Sequence, residues 1–215
     1  MKKTLFSIAL STLLYASAFA QSASRAIKSS GGFGREGMST VNLYYGVSVF
    51  NGIYKAVAKN ASANSVDIKY SSLGPVGLMY EYFVTDKVGI GVELGYSTFQ
   101  VSYSYDSYDS NFNPAVYSDT WNFTTIRAMG RANFHFTEDE NFDAYGFVGA
   151  GYRTTKFKYT TTDPDFQGTQ SFGGGIPFGF KPGLGLRYFF TENLGINAEI
   201  ALGSPLLSAG ISAKF

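Results

Sequence analysis

The chain has 215 residues, no cysteine, one histidine and 17 basic against 16 acidic side chains; only 15% of it is charged, beside 25 glycines, 16 tyrosines and 20 phenylalanines. Without cysteine there are no disulfides and no thiolate metal centres, and a near-neutral balance leaves no footprint for nucleic acid. A charged fraction well below the roughly one quarter of soluble domains fits a surface that partly faces lipid.

Residues 1–20 read as an export signal. Lys2 and Lys3 precede a largely apolar run from Leu5 to Phe19, and Ala18-Phe19-Ala20 gives the small-x-small pattern for cleavage near Ala20. That run, about fifteen residues and broken by Ser7, Ser11, Thr12 and Ser17, is too short for a membrane helix. No cysteine follows Ala20 to carry a lipid anchor. Residues 21–38 form a Gly/Ser-rich lead, expected to be flexible. Inside it Gly32-Phe33-Gly34-Arg35-Glu36-Gly37 matches dinucleotide-binding spacing, but no strand precedes it and no helix follows, so the context for a phosphate cradle is missing.

From Ser39 to Phe215 the pattern has period two. Strand one sets Val41, Leu43, Tyr45, Val47 and Val49 against Thr40, Asn42, Tyr44, Gly46 and Ser48. Strand two sets Val76, Leu78, Tyr80, Tyr82 and Val84 against Gly77, Met79, Glu81 and Phe83. Val66, Ile68 and Tyr70 keep the phase of Val76, which predicts an extension beyond the bilayer. Strand three opposes Val88, Ile90, Val92, Leu94 and Tyr96 to Gly89, Gly91, Glu93 and Gly95. Strand four opposes Ile126, Ala128, Ala132, Phe134 and Phe136 to Arg127, Met129, Arg131, Asn133 and His135.

Strand five, about 142–159, is blurred by Gly146, Gly149 and Gly151; Arg153 inward puts Val148, Ala150 and Tyr152 outward. Strand six sets Ile176, Phe178, Phe180, Leu184, Leu186 and Tyr188 against Gly179, Lys181, Gly183, Gly185 and Arg187. Strand seven opposes Leu194, Ile196, Ala198, Ile200 and Leu202 to Gly195, Asn197 and Glu199. Strand eight opposes Leu207, Ala209, Ile211, Ala213 and Phe215 to Ser208, Gly210, Ser212 and Lys214. Aromatics gather at two levels, Tyr82, Phe134, Phe136, Phe142, Tyr188, Phe190 and Phe215 near the turns and Tyr45, Tyr96, Trp121 and Tyr152 near the loops, as bilayer interfaces select.

Three connections are short Thr-acid turns, at Thr85-Asp86, Thr137-Glu138-Asp139 and Thr191-Glu192. The others lie around 51–72, 106–120, 160–170 and 203–205. The fold class is therefore all-β: an eight-stranded antiparallel up-and-down transmembrane barrel spanning 39–215, with short periplasmic turns and longer extracellular loops. Lipid offers backbone amides no partner, so the sheet must close.

Glu81, Glu93, Arg127, Arg131, Lys181, Arg187 and Glu199 all fall opposite the apolar columns. A lipid-facing Arg at the midplane costs roughly 2–4 kcal/mol, so these charges must point inward. With eight strands the lumen is barely wide enough for its own side chains. The expected arrangement is a structural plug, with Glu81 and Glu93 facing Arg127 and Arg131, and Lys181 and Arg187 facing Glu199. An ion path is the alternative.

His135, the one histidine, points inward by phase with no serine nearby, which favours a hydrogen-bonding role over that of a catalytic base. The stretch Tyr103-Ser104-Tyr105-Asp106-Ser107-Tyr108-Asp109-Ser110-Asn111 suits either a recognition loop or a strand end leaving the membrane. It lacks the glycine and terminal glutamate of a calcium loop. No catalytic, metal or cofactor site is read, and no cofactor is expected.

With the turns and the closing Ser212-Ala213-Lys214-Phe215 in view, the chain resembles the porin-family outer-membrane β-barrel proteins, and is most similar to the eight-stranded transmembrane barrel of outer membrane protein A. The resemblance implies residence in the outer membrane of a Gram-negative bacterium, and Phe215 as the insertion signal read by the barrel-assembly machinery. Ending at the barrel, the chain departs from the family's two-domain form, so the peptidoglycan-binding domain is not expected. The function read from all this is non-enzymatic: an envelope-structural or surface-interaction protein whose partners are outer-membrane lipids, the assembly machinery and an extracellular ligand at the long loops. A narrow porin-like channel and an outer-membrane lipid-modifying enzyme are the alternatives, and a soluble lipocalin-like barrel is the remaining contrast.

Overall fold

The computed structural model describes residues 33–48, 67–137, 139–166, 170–174 and 177–215. Among these residues lie nine strands: β1 (Ser39–Val47), β2 (Asp67–Thr85), β3 (Val88–Tyr108), β4 (Pro114–His135), β5 (Phe142–Thr161), β6 (Gln170–Gly174), β7 (Phe178–Phe189), β8 (Leu194–Ala201) and β9 (Leu207–Lys214). All pairings are antiparallel between neighbours, and β9 pairs with β1, closing the ring. The short β6 and β7 lie end to end along the same edge of β5, from Tyr159↔Gln170 to Phe142↔Tyr188, so the barrel has eight strand positions. Phe215 completes the seam: its amide donates to the Ser39 carbonyl at 3.0 Å, and the Ser39 amide donates back at 2.8 Å.

The Thr-acid clusters are turns in which side chains do the work of backbone carbonyls. Thr85 Oγ1 accepts from the Val88 amide at 3.1 Å, and Thr191 Oγ1 from the Leu194 amide at 2.9 Å. Asp139 Oδ1 accepts from the amides of Asn141 and Phe142 at 2.7 and 2.9 Å.

Polarity in the barrel is inverted. Ile90, Val92 and Leu94 are 51, 52 and 53% exposed, while Glu93 between them is 0% exposed. The same holds around the ring, with Leu43, Leu78, Ile126, Val148, Leu184, Ile196 and Ile211 outside and every one of the seven charges buried. A closed ring clothed in apolar side chains and filled with ionised ones is stable only with hydrocarbon around it.

Strand lengths divide the ring. β1, β8 and β9 have 9, 8 and 8 residues, close to the ~9–11 that cross a bilayer. β2 to β5 have 19, 21, 22 and 20. Four adjacent strands thus continue about ten residues beyond the rim, roughly 30 Å of strand, as a wall standing on one side of the extracellular mouth.

The phase of that extension differs from expectation. Between Leu73 and Val76 the β2–β3 register slips at the buried pair Gly74-Pro75. This bulge turns the strand over. Ile68 and Tyr70, read by spacing as continuing the outward column of Val76, pair with Tyr103 and Val101 and face inward. Val66 lies outside the described residues.

Candidate functional site

Two sets of paired charges fill the lumen. In the upper set Arg131 donates to Glu93 at 2.9 Å and to Glu199 at 2.8 Å, and Lys181 donates to Glu93 at 2.9 Å and lies 3.6 Å from Glu199. Tyr44 and Tyr145 add hydroxyl donors to Glu93 and Glu199 at 2.7 and 2.8 Å. The Arg131 guanidinium lies 3.8 Å above the Phe147 ring. In the lower set Arg187 bridges Glu81 at 2.6 Å and Asp143 at 3.2 Å. His135 bridges the same two carboxylates, Nδ1 to Asp143 at 2.8 Å and Nε2 to Glu81 at 2.9 Å. Both ring nitrogens face carboxylate oxygens, and a protonated ring would donate to both. The upper set carries two positive and two negative groups, and with His135 protonated the lower set does too.

All seven charges are buried in the lumen; Arg131 meets Glu93 and Lys181 lies near Glu199, as phase suggests, while the other partners differ. Arg187 meets Glu81 and Asp143 rather than Glu199, because β2 and β7 stand opposite each other in the ring and the lumen is narrow enough to reach across. Arg127 joins neither set. It is 2% exposed, and its Nε, Nη1 and Nη2 have no hydrogen-bond partner among the described residues. The positions facing it on β3 and β2 are Gly95 and Gly77, and Glu93, next inward on β3 in the upper set, is already held by Arg131, Lys181 and Tyr44. Sequence reasoning missed Asp143, although an inward Arg153 on the same strand puts it in phase. It also missed Tyr44 and Tyr145, which occupy inward positions but look like interface aromatics.

The periplasmic end is closed by the segment before β1. Phe33 packs against Phe83 and Phe189 with ring centroids 6.0 and 5.2 Å apart, and stacks on His135 at 6.3 Å. Met38 completes this buried cluster. The segment is pinned where the Gly37 amide donates to the Phe83 carbonyl at 2.9 Å, with Gly37 at φ 87°, a left-handed conformation that suits glycine. Residues 33–38, grouped by composition with a flexible lead, are therefore part of the barrel's floor; 21–32 lie outside the described residues. The dinucleotide-like spacing over Gly32 to Gly37 marks this plug, and no phosphate cradle forms among its described residues.

In the wall the inner face changes character. Above Arg127 and Arg153 comes a row with Thr125 and Thr155, their hydroxyls 2.9 Å apart. Above that lie Phe99, Phe123 and Phe157, with centroids 6.2 and 5.1 Å apart, and Trp121 at 5.4 Å from Phe157. Trp121, expected in the lipid-facing ring, sits in the inward phase instead. Tyr45, Tyr96 and Tyr152 keep their outward places. Higher still, Tyr103 donates to Asp119 at 2.6 Å; burial and that carboxylate push its phenol above the ordinary range. The Tyr103–Tyr108 part of the polar stretch is strand, paired residue by residue with β4. The outer face of the same wall carries Thr98, Gln100, Ser102, Lys156 and Lys158.

Among solved structures the chain is similar to the N-terminal β-barrel domain of OprF from Pseudomonas aeruginosa (18% identity, 84% of this chain and 98% of that one, TM-score 0.39). It is likewise similar to Ail, the attachment invasion locus protein of Yersinia pestis (14% identity, 84% and 99%, TM-score 0.41). A third is the outer membrane protein OprG from Pseudomonas aeruginosa (13% identity, 85% and 97%, TM-score 0.41). No protein-family profile and no curated protein matches the sequence. The inverted polarity and closed ring of this chain identify it, on its own geometry, as an eight-stranded outer-membrane barrel.

Proposed function

We propose that this protein is a non-enzymatic outer-membrane barrel whose work is done outside the cell by the wall of β2 to β5. The observation that carries the reading is the contrast in one molecule between a lumen filled and floored by side chains and a wall of β2 to β5, edged by the short β6, raised on one side of its mouth. Catalysis by His135 is disfavoured because Asp143 and Glu81 occupy both ring nitrogens, which leaves none to take a proton from a nucleophile. Conduction is disfavoured by the charge sets and the Phe33 floor. On this reading residues 1–20 are an export signal cleaved near Ala20 in a Gram-negative cell. Phe215 at the seam is the element the assembly machinery engages, and outer-membrane lipids surround the apolar belt.

Gln100 pairs with Asn122, so residues 101–121 can be replaced by a two-residue Asn-Gly turn without disturbing the barrel below. The refolded protein is expected to give no discrete openings in planar bilayers and to bind a subset of glycan or protein array features. The trimmed variant is expected to keep its heat-dependent gel shift and lose that binding. Discrete conductance, or identical array patterns for the two proteins, would contradict the proposal.

A further inference from the structure

We propose that Arg127 and Arg153 form a binding site for one small oxyanion at the extracellular end of the lumen. The two residues are direct partners across the β4–β5 ladder, and like charges set opposite each other destabilise a sheet. The carboxylates of the two sets below them are all held by other groups, so none of them serves this pair. Arg127 is buried with all three guanidinium nitrogens unsatisfied among the described residues. Burying an unpaired cation is among the most costly arrangements a fold can hold, and a bound anion removes that cost.

The surroundings of the pair are small and polar side chains. A side chain at Gly95 would meet Arg127 Nη2 at 2.7 Å and the Tyr44 hydroxyl at 3.1 Å, so glycine is what leaves room for the guanidinium on that side. The Thr125 and Thr155 hydroxyls form the next inward row, two residues from each arginine. Arg153 is only half-buried, which gives a solvent anion a route toward Arg127. Guanidinium forks favour oxyanions over spherical ions because two parallel N–H groups match two oxygens. The site faces the lumen, so headgroups in the surrounding leaflet cannot reach it. The oxyanion is a phosphate or carboxylate on a soluble or surface-borne ligand.

This deepens the surface-interaction reading, on which it rests, by naming the ligand chemistry at the base of the wall. Thermal unfolding of the refolded barrel in detergent tests it, with inorganic phosphate, acetate and chloride compared at equal ionic strength. The wild-type protein is expected to be stabilised progressively by phosphate or acetate and much less by chloride; which oxyanion is stronger identifies the source. Arg127→Met is expected to raise the apparent dissociation constant about tenfold or more and to unfold at a higher temperature than wild type without oxyanion. Arg153→Met is expected to weaken binding while leaving the anion-free protein unharmed. The site is overturned if chloride acts as strongly as phosphate, if wild type responds to no oxyanion, if R127M responds like wild type, or if R127M is less stable in oxyanion-free buffer. None of these results depends on the array or conductance experiments, so the two proposals can fail separately.

Discussion

Strands β3 to β5 run from the membrane-spanning half of the sheet into the wall above it in one phase, yet their faces carry opposite chemistry in the two regions. On β3, Gly91, Glu93 and Gly95 face the lumen and Val92 and Leu94 face out; a few residues later Phe99, Val101 and Tyr103 face in, and Gln100 and Ser102 face out. The exchange falls in the rows that follow Tyr96, Ile126 and Tyr152. The pleat of β3, β4 and β5 does not change there, and only β2 shifts, by one residue at Gly74-Pro75. What changes is the surrounding solvent, from hydrocarbon, which accepts only apolar side chains, to water, which lets aromatic residues collect on the shielded side. Face polarity therefore reports the medium around a strand.

The largest expected effect is inside the lower region. Arg131→Met leaves Glu93 and Glu199 sharing Lys181 alone and should cost about 3–5 kcal/mol, read by urea unfolding in lipid or detergent. Next comes a comparison at a single phase. Leu94→Arg places a cation against hydrocarbon and should cost about 2–4 kcal/mol. Ser102→Arg, outward on the same strand but in the wall, should change stability by less than about 0.5 kcal/mol. Equal costs at the two positions would erase the boundary drawn here.

Removing the Thr191 hydroxyl with Thr191→Ala deletes the acceptor for the Leu194 amide and should cost about 1 kcal/mol. The smallest effect is expected at alkaline pH. Tyr103 has its phenol raised by burial and by Asp119. The stabilisation this gives the folded wall is complete below the ordinary tyrosine value near 10 and is lost as pH climbs through the raised one. The difference between the phenolate titrations of wild type and Tyr103→Phe should correspond to one late-titrating tyrosine.

Strand number, the Thr-acid turns and the inward column of charges were legible in the sequence because each depends on a local period or a local turn. Four features were not. The Gly74-Pro75 bulge inverts the column holding Ile68 and Tyr70, and spacing alone cannot register an extra residue. Phe33 looked like part of a Gly/Ser-rich lead, because its role as a floor depends on Phe83 and Phe189 from distant strands. The pairing of Arg187 with Glu81 depends on which strands stand opposite in a closed ring. The isolation of Arg127 could be recognised only once Gly95 and Gly77 were known to face it.

Site-directed spin labelling tests the central inversion most directly, since the chain has no native cysteine to remove. Single cysteine substitutions would be made from 90 to 104 and labelled in lipid vesicles. Labels at 90, 92, 94 and 96 should collide with membrane-dissolved oxygen, those at 91, 93 and 95 with neither oxygen nor a water-soluble relaxer, and those at 98, 100, 102 and 104 with the water-soluble relaxer. Oxygen contact at 91, 93 and 95, or aqueous contact at 90, 92 and 94, would contradict the inverted barrel.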